Sequence, residues 1–449
     1  MISTFNTFML TALGLLLLAL FNDYVVYFGI ALISLSPGVM FFLLSIRGRR
    51  YFDVFSPLFV FPATFGLVYG LGAIRYINEN DAYSSELVVY PIIGLFTYFI
   101  AVIFSSKIRL KTSPFFLRNY GILPAKLALY ISVLVCLVAA IIMVYKVGMP
   151  FLYEDKLDAR LDARAIVSSN IIYLIRIGFL GFYIYLASTM HYKNLHTINW
   201  PYMGFLFILI SFLNFIPGWR GPIFLFLLTC LIIYHYKFSK INPKKAIFFG
   251  FMLITIMLVW GFIRIITHPD ATDILENYEG MISLPLGVFL IWSTYQFSVY
   301  TLGFRTILDH FSLGENSFMY GGVFGLTLST LQPGKQETLG EVIKDEANLQ
   351  FSGAGLNPTI LGDAYADAGI IGVVIYMSIV GFIVGRLYKI VRLSNSITSV
   401  VFYAYITTML ILSVFTGILS QASYVFHLIV LFTIFILLGI LRKQTGGNL

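Results

Sequence analysis

The chain reads as an all-α polytopic membrane protein with about 12 transmembrane helices, and three observations lead there. It is 59% hydrophobic and only 11% charged over 449 residues, too little polar surface for a water-soluble domain. Its apolar runs continue for about twenty residues, the length that crosses a hydrocarbon core as a helix, where a membrane β-barrel would alternate over segments of about ten. Its basic residues, finally, are concentrated in alternate loops.

The runs and their flanks place spans near Phe5 to Phe21, Tyr24 to Leu44, Val54 to Ile74, Leu87 to Phe104, Leu127 to Tyr145 and Asn170 to Ser188. Six more fall near Pro201 to Ile216, Pro222 to Tyr236, Ala246 to Ile266, Gly369 to Tyr388, Ile397 to Phe415 and Val425 to Leu441. The loops Arg47 to Asp53, Lys107 to Lys126, His191 to Trp200, Lys237 to Lys245, Arg386 to Ser396 and the tail from Arg442 hold 18 of the 29 basic residues and one acid, Asp53. Basic loops stay in the cytoplasm, so both termini are expected there. The net charge of +8 is thus an orientation signal and gives no reason to expect nucleic-acid binding. The first run leads straight into another span without a small-residue cleavage site, so a removable signal peptide is not expected. Cys136 and Cys230 lie inside apolar spans without metal-ligand spacing and read as packing residues.

The chain is read as one integral membrane domain over residues 1–449, and its outward side carries the unusual segments. One is the loop 148–169, GMPFLYEDKLDARLDARAIVSS; another is the tight turn 217–222, PGWRGP; the third is the long segment 267–368. Structureless loops beyond about 12–15 residues are rare unless functional or disordered, and the third is rich in Trp, Phe and Tyr, so it is expected to fold, with interfacial helices. Its stretch Leu284 to Leu302 resembles a span, but Pro285 and Gln296 break the apolar face, so it reads as interfacial or shallowly re-entrant.

The outward arginines are Arg75, Arg160, Arg164, Arg176, Arg220, Arg264 and Arg305. Arg160 and Arg164 share a helix face at i, i+4 spacing; they read either as a solvated face paired with Asp158 and Asp162 or as a bidentate phosphate clamp. Arg220 stands between Gly218 and Pro222 beside the free N–H groups of a helix start; it reads either as part of an anion site, which those groups and the helix dipole favour, or as snorkelling to lipid headgroups. Arg264 either snorkels to headgroups or joins that site. Asp270, Asp273, Glu276 and Glu279 recur every three residues after Pro269, the pattern of acidic first turns more than of a metal cluster. No metal or cofactor is expected. Of six histidines, only His268 and His310 stand where outward chemistry could use them; His427 lies within the last span. Near the close of the long segment, GLNPTILGDAYADAGIIG sets Asn357, Asp363, Tyr365 and Asp367 before the tenth span, either as a capped lead-in or as a sugar-binding surface.

The GMPFL segment leading into arginines, the NFIPGWRGP turn and the long outward loop ending in GLNPTILGDAYADAGIIG together resemble the O-antigen polymerase (Wzy) and oligosaccharide repeat-unit polymerase family. The resemblance implies a bacterial inner-membrane glycosyltransferase with a periplasmic active face and undecaprenyl-pyrophosphate-linked oligosaccharides as substrates. It would move a growing glycan onto a lipid-linked repeat unit, with membrane lipids around it and a chain-length regulator as a possible partner. On this reading Arg160, Arg164, Arg220, Arg264 and Arg305 hold the pyrophosphates, and Asp363, His268 or His310 activates the acceptor hydroxyl. Asn357, Tyr365 and Asp367 would contact sugar. An O-antigen ligase shares the layout, and a lipid-linked oligosaccharide flippase would also need outward arginines. Span centres almost free of charge favour surface chemistry over transport.

Overall fold

Every described element is helical, which is how a backbone satisfies its N–H and C=O groups inside a bilayer. The computed structural model describes residues 53–78, 84–108, 112–149, 166–167, 170–192, 197–217, 221–242, 285–311, 318–329, 338–346, 356–418 and 421–444, with isolated positions between 245 and 259. The expected spans from Phe5 to Leu44, most of Ala246 to Ile266, and Arg160, Arg164, Arg220, Arg264 and His268 lie outside the described residues.

The helices run α1 (Val60–Asn78), α2 (Ser84–Lys107), α3 (Ile122–Val147), α4 (Ile177–Tyr192), α5 (Trp200–Phe215), α6 (Gly221–Lys237), α7 (Pro285–His310), α8 (Gly322–Ser329), α9 (Leu339–Glu346), α10 (Thr359–Ser394), α11 (Ile397–Thr416) and α12 (Ala422–Gln444). Among the described residues, six helical stretches are long and apolar enough to cross a membrane: Ser85–Lys107, Ile122–Val147, Asn170–Tyr192, Thr359–Ser394, Ile397–Thr416 and Ala422–Leu441. The shorter apolar helices Val60–Gly70, Trp200–Phe215 and Gly221–Lys237 fall on three further expected spans. Helix α7, over the stretch read as interfacial or re-entrant, is 26 residues long and is not among the six. The start of α5 shows how local sequence places an end: the Asn199 side chain accepts the Tyr202 N–H at 3.1 Å and Pro201 occupies the first turn.

The chain divides into two compact units, Met1–Phe96 with Ile241–Asp309, and Thr97–Lys240 with His310–Leu449. In the first, Phe61, Phe65 and Tyr69 recur every four residues along α1, ring centroids 5.5 and 4.5 Å apart, and Tyr69 meets Phe304 of α7 edge-on at 6.0 Å. Gly72 lets the backbone of α1 approach Phe297 and Thr301 of α7.

In the second unit α3 packs along α4, with Cys136 buried against Gly178 and in one apolar cluster with Ala139, Ala140, Met143, Ile175 and Leu213. Phe226 of α6 is the aromatic centre, stacked on Phe179 at 4.4 Å and on Phe207 at 4.7 Å. The GFIVG stretch of α10 turns Gly381 and Gly385 onto α2; a Cβ on Gly381 would lie 2.6 Å from the Tyr98 carbonyl oxygen. This is the small-residue spacing that lets membrane helices approach closely.

Four of the expected cytoplasmic loops meet at one end of this unit. Lys389 donates to the Ser106 and Ile108 carbonyls at 2.7 and 3.1 Å, and Arg386 to Ile108 at 3.2 Å, so basic side chains satisfy the carbonyls left open at the end of α2. The α10–α11 turn is tied to the loop before α3: Ile397 N–H donates to Asn119 Oδ1 at 2.8 Å, Thr398 Oγ1 to the Arg118 carbonyl at 3.1 Å and Ser396 Oγ to the Phe116 carbonyl. Buried Lys237, at the end of α6, donates to the Asn395 carbonyl and lies 3.3 Å from His191 Nδ1 at the end of α4.

Candidate functional site

At the opposite end of α10 the helix is broken in two. Residues Thr359–Asp367 form a short first segment, which ends at Ala368 (φ −156°) and Gly369 (φ 60°) before the long apolar part begins. Only glycine takes that conformation without strain, and the ring of Phe318 fills the space where a Cβ would lie, 2.9 Å from its Cζ. The break opens carbonyls that a continuous helix would have used, and the neighbouring chain takes them. Met319 N–H donates to the Ala366 carbonyl and Tyr320 N–H to the Asp367 carbonyl, both at 2.9 Å.

The Asp367 side chain completes the joint. Its Oδ1 accepts the Gly321 and Val323 N–H groups at 3.2 and 3.1 Å, which caps the first turn of α8 from another helix, and its Oδ2 accepts the Tyr376 hydroxyl. Tyr376 lies beyond the break, so this bond braces the two parts of α10 against each other. One further contact seats α9: Leu356 N–H donates to the Gly340 carbonyl at 2.9 Å. The start of α9 is a reciprocal cap, in which Glu341 Oε2 accepts the Thr338 N–H at 2.8 Å and Thr338 Oγ1 accepts the Glu341 N–H at 3.3 Å. The stretch Met319–Val323 is therefore docked on the end of the segment 359–367, and α9 is held to the chain just before it, at Leu356.

Two of the three described non-glycine residues with positive φ flank this joint, Tyr320 at 44° and Thr359 at 63°. A β-branched threonine there is a true outlier, and such conformations cost about 1–3 kcal/mol each. Between them lie Asp363, 1% exposed, and Asp367, 2% exposed, one helical turn apart. Tyr376 is within electrostatic reach of both.

The expected residues are placed as follows. Asn357 is exposed just before the segment. Asp363 is buried within it, and buried Tyr365 meets Phe318 edge-on at 5.7 Å. Asp367 gives its carboxylate to the joint. Arg305 and His310 stand on α7, where Arg305 pairs with Asp309 at 3.5 Å and the His310 ring lies edge-on to Phe311 at 4.6 Å. Tyr376 and the Phe318–Val323 stretch went unrecognised because no local pattern links them to Asp367, more than forty positions away in one case.

A second polar group gathers around Arg176, an arginine expected on the outward side but left out of the expected site. It sits at a turn where the helical stretch from Asn170 gives way to α4. Its charge reaches Tyr405 of α11 and Tyr424 and His427 of α12. His427 Nε2 lies 3.0 Å from the Tyr173 carbonyl oxygen, and Thr416 Oγ1 lies 3.5 Å from the Tyr424 hydroxyl. An arginine six residues inside an apolar span was the available signal; its company comes from two distant helices.

An all-helical, multi-pass membrane protein with polar groups collected at the ends of its spans is the class this geometry defines. Residues 51–427 match the family described as "Putative O-antigen polymerase", and the chain belongs to that family. As a member it is a polymerase of glycosyltransferase type that works on lipid-linked oligosaccharides in polysaccharide biosynthesis. No curated protein and no solved structure matches it.

Proposed function

We propose that this chain lengthens a surface glycan at the periplasmic face of the bacterial inner membrane. A glycan carried on undecaprenyl pyrophosphate is transferred to a lipid-linked repeat unit. The acceptor hydroxyl oxygen bonds to the anomeric carbon, the bond from that carbon to the pyrophosphate oxygen breaks, and undecaprenyl pyrophosphate leaves with the electron pair. The observation that carries this reading is the joint at Thr359–Asp367 in a chain of this family: two buried carboxylates one helical turn apart in a segment that opens on the strained Thr359, with the stretch Met319–Val323 bonded to its end at Asp367.

In this reading Asp363 takes the acceptor proton, with His268 and His310 as the other candidates. Because Asp363 is buried, the acceptor must displace its surroundings to reach it. Asp367 is bound up in the joint and acts by holding Asp363 and Tyr365 in place, while Asn357 and Tyr365 offer sugar contacts. Arg160, Arg164, Arg220, Arg264 and Arg305 hold the pyrophosphates, where charge-assisted hydrogen bonds contribute about 1.5–3 kcal/mol each. Arg176 is a further cation for that task, and with arginines neutralising the leaving group no metal is required. A chain-length regulator would act on the finished complex.

Surface polysaccharide from a deletion strain, run on a gel, tests the reading. Core carrying one repeat unit is the expected product. Core without repeat units would indicate a ligase instead, and lipid-linked units trapped on the cytoplasmic leaflet would indicate a flippase.

A further inference from the structure

Tyr320 has three properties that rarely coincide. The residue is 76% exposed, its backbone is held in the left-handed region at φ 44°, and its N–H is bonded to the Asp367 carbonyl at 2.9 Å. The next residue donates its own N–H to Asp367 Oδ1. An exposed aromatic side chain gains little by burial, so strain at its backbone has to be sustained by the bonds around it, and here Asp367 supplies them, its own carboxylate held by the Tyr376 hydroxyl. These bonds fix the point on the chain that carries the ring. It stands 6.3 Å from Phe318, edge-on, and Phe318 in turn packs edge-on against Tyr365 beside Asp363.

We infer that Tyr320 is a sugar-stacking platform, receiving the apolar face of a pyranose of the oligosaccharide substrate, with Asp367 and Tyr376 as the pair that positions it. The inference rests on the polymerase reading and adds a residue and a contact type to it. A pyranose presents a face of C–H bonds whose positive edge suits the negative face of an aromatic ring, and its hydroxyls reach outward to polar neighbours. A ring that merely anchors the protein in the headgroup layer gains nothing from a backbone held in one strained conformation, since lipid surrounds it wherever it is attached. A sugar bound at one register does.

The test uses full-length protein in nanodiscs and lipid-linked repeat units from the native host. Tyr320→Ala is expected to raise KM for the repeat unit tenfold or more with kcat within about twofold, and Tyr320→Phe and Tyr320→Trp to restore KM to within about threefold. An unchanged KM in the alanine variant overturns the inference, as does a loss of kcat alone. Should the alanine variant fail to fold, Tyr320→Trp decides the matter by fluorescence difference against wild type. The probe is the oligosaccharide released by mild acid from the same repeat units. A saturable change in emission supports stacking; no change, or quenching by brominated lipid in the absence of sugar, overturns it. If wild type extends no repeat units at all, the polymerase reading fails by itself, and the fluorescence titration still reports on Tyr320.

Discussion

Asp363 and Asp367 differ by one helical turn and have different work to do. Asp367 accepts two backbone N–H groups and a tyrosine hydroxyl, so its removal leaves three donors without their acceptor. Hydrogen bonds to a charged group contribute about 1.5–3 kcal/mol, and Asp367→Ala should destabilise the protein by about that much, seen as a lower melting temperature in detergent. Asp363→Asn keeps shape and volume. It should leave the melting temperature within a degree or two of wild type and reduce polymer formation at least a hundredfold, the scale of a lost general base. Equal loss of stability in both variants would remove Asp363 from the chemistry. Arg220→Lys separates charge from geometry in the same way: it retains the cation and loses the guanidinium fork, and it should shorten the polymer distribution on a gel. An unchanged distribution would sink the clamp.

Among the described elements, α10 is broken near its N-terminal end and pressed onto α2 along its apolar length. Gly381 and Gly385 are spaced four apart on the face that meets Tyr98, Val102 and Ser105. Gly381→Leu would drive a side chain into the Tyr98 carbonyl, and overpacking of this kind costs about 1–3 kcal/mol. The expected result is earlier aggregation on heating in size-exclusion chromatography, while Ile379→Leu, on the exposed face, should change nothing. The GFIVG pattern was visible in the sequence; that it faces α2 was not, because a small-residue motif states that a neighbour comes close without naming it. The break at Ala368–Gly369 is of the other kind. A glycine after Ala-Asp-Ala gives no warning that it takes a positive φ, since the conformation is stabilised by Phe318 and by the carbonyl partners Met319 and Tyr320.

At the scale of the molecule, the four basic loops gathered at one end of the second unit and the Asp367 joint at the far end of α10 give the bundle two chemically distinct faces. The side expected in the cytoplasm uses lysine and arginine to close helix ends; the other uses carboxylates, aromatic rings and Arg176. Truncation fusions test the assignment. A reporter that fluoresces only in the cytoplasm should be bright after Lys240 and at the C-terminus and dark after Gly334, with alkaline phosphatase showing the reverse. A bright fusion after Gly334 would place the candidate site on the wrong side for periplasmic transfer.

Composition suffices to read an α-helical membrane protein, because hydrophobic thickness acts on each segment by itself, and loop charge adds an expected orientation. The acidic and aromatic residues of GLNPTILGDAYADAGIIG can likewise be picked out along the chain. Their division of labour cannot. Which carboxylate is spent on backbone donors, which tyrosine is left facing solvent and which tyrosine and histidine surround Arg176 depend on residues brought from up to about 250 positions away. Hydrogen bonds act over about 3 Å of space whatever the separation in sequence, so those roles exist only once the helices are packed.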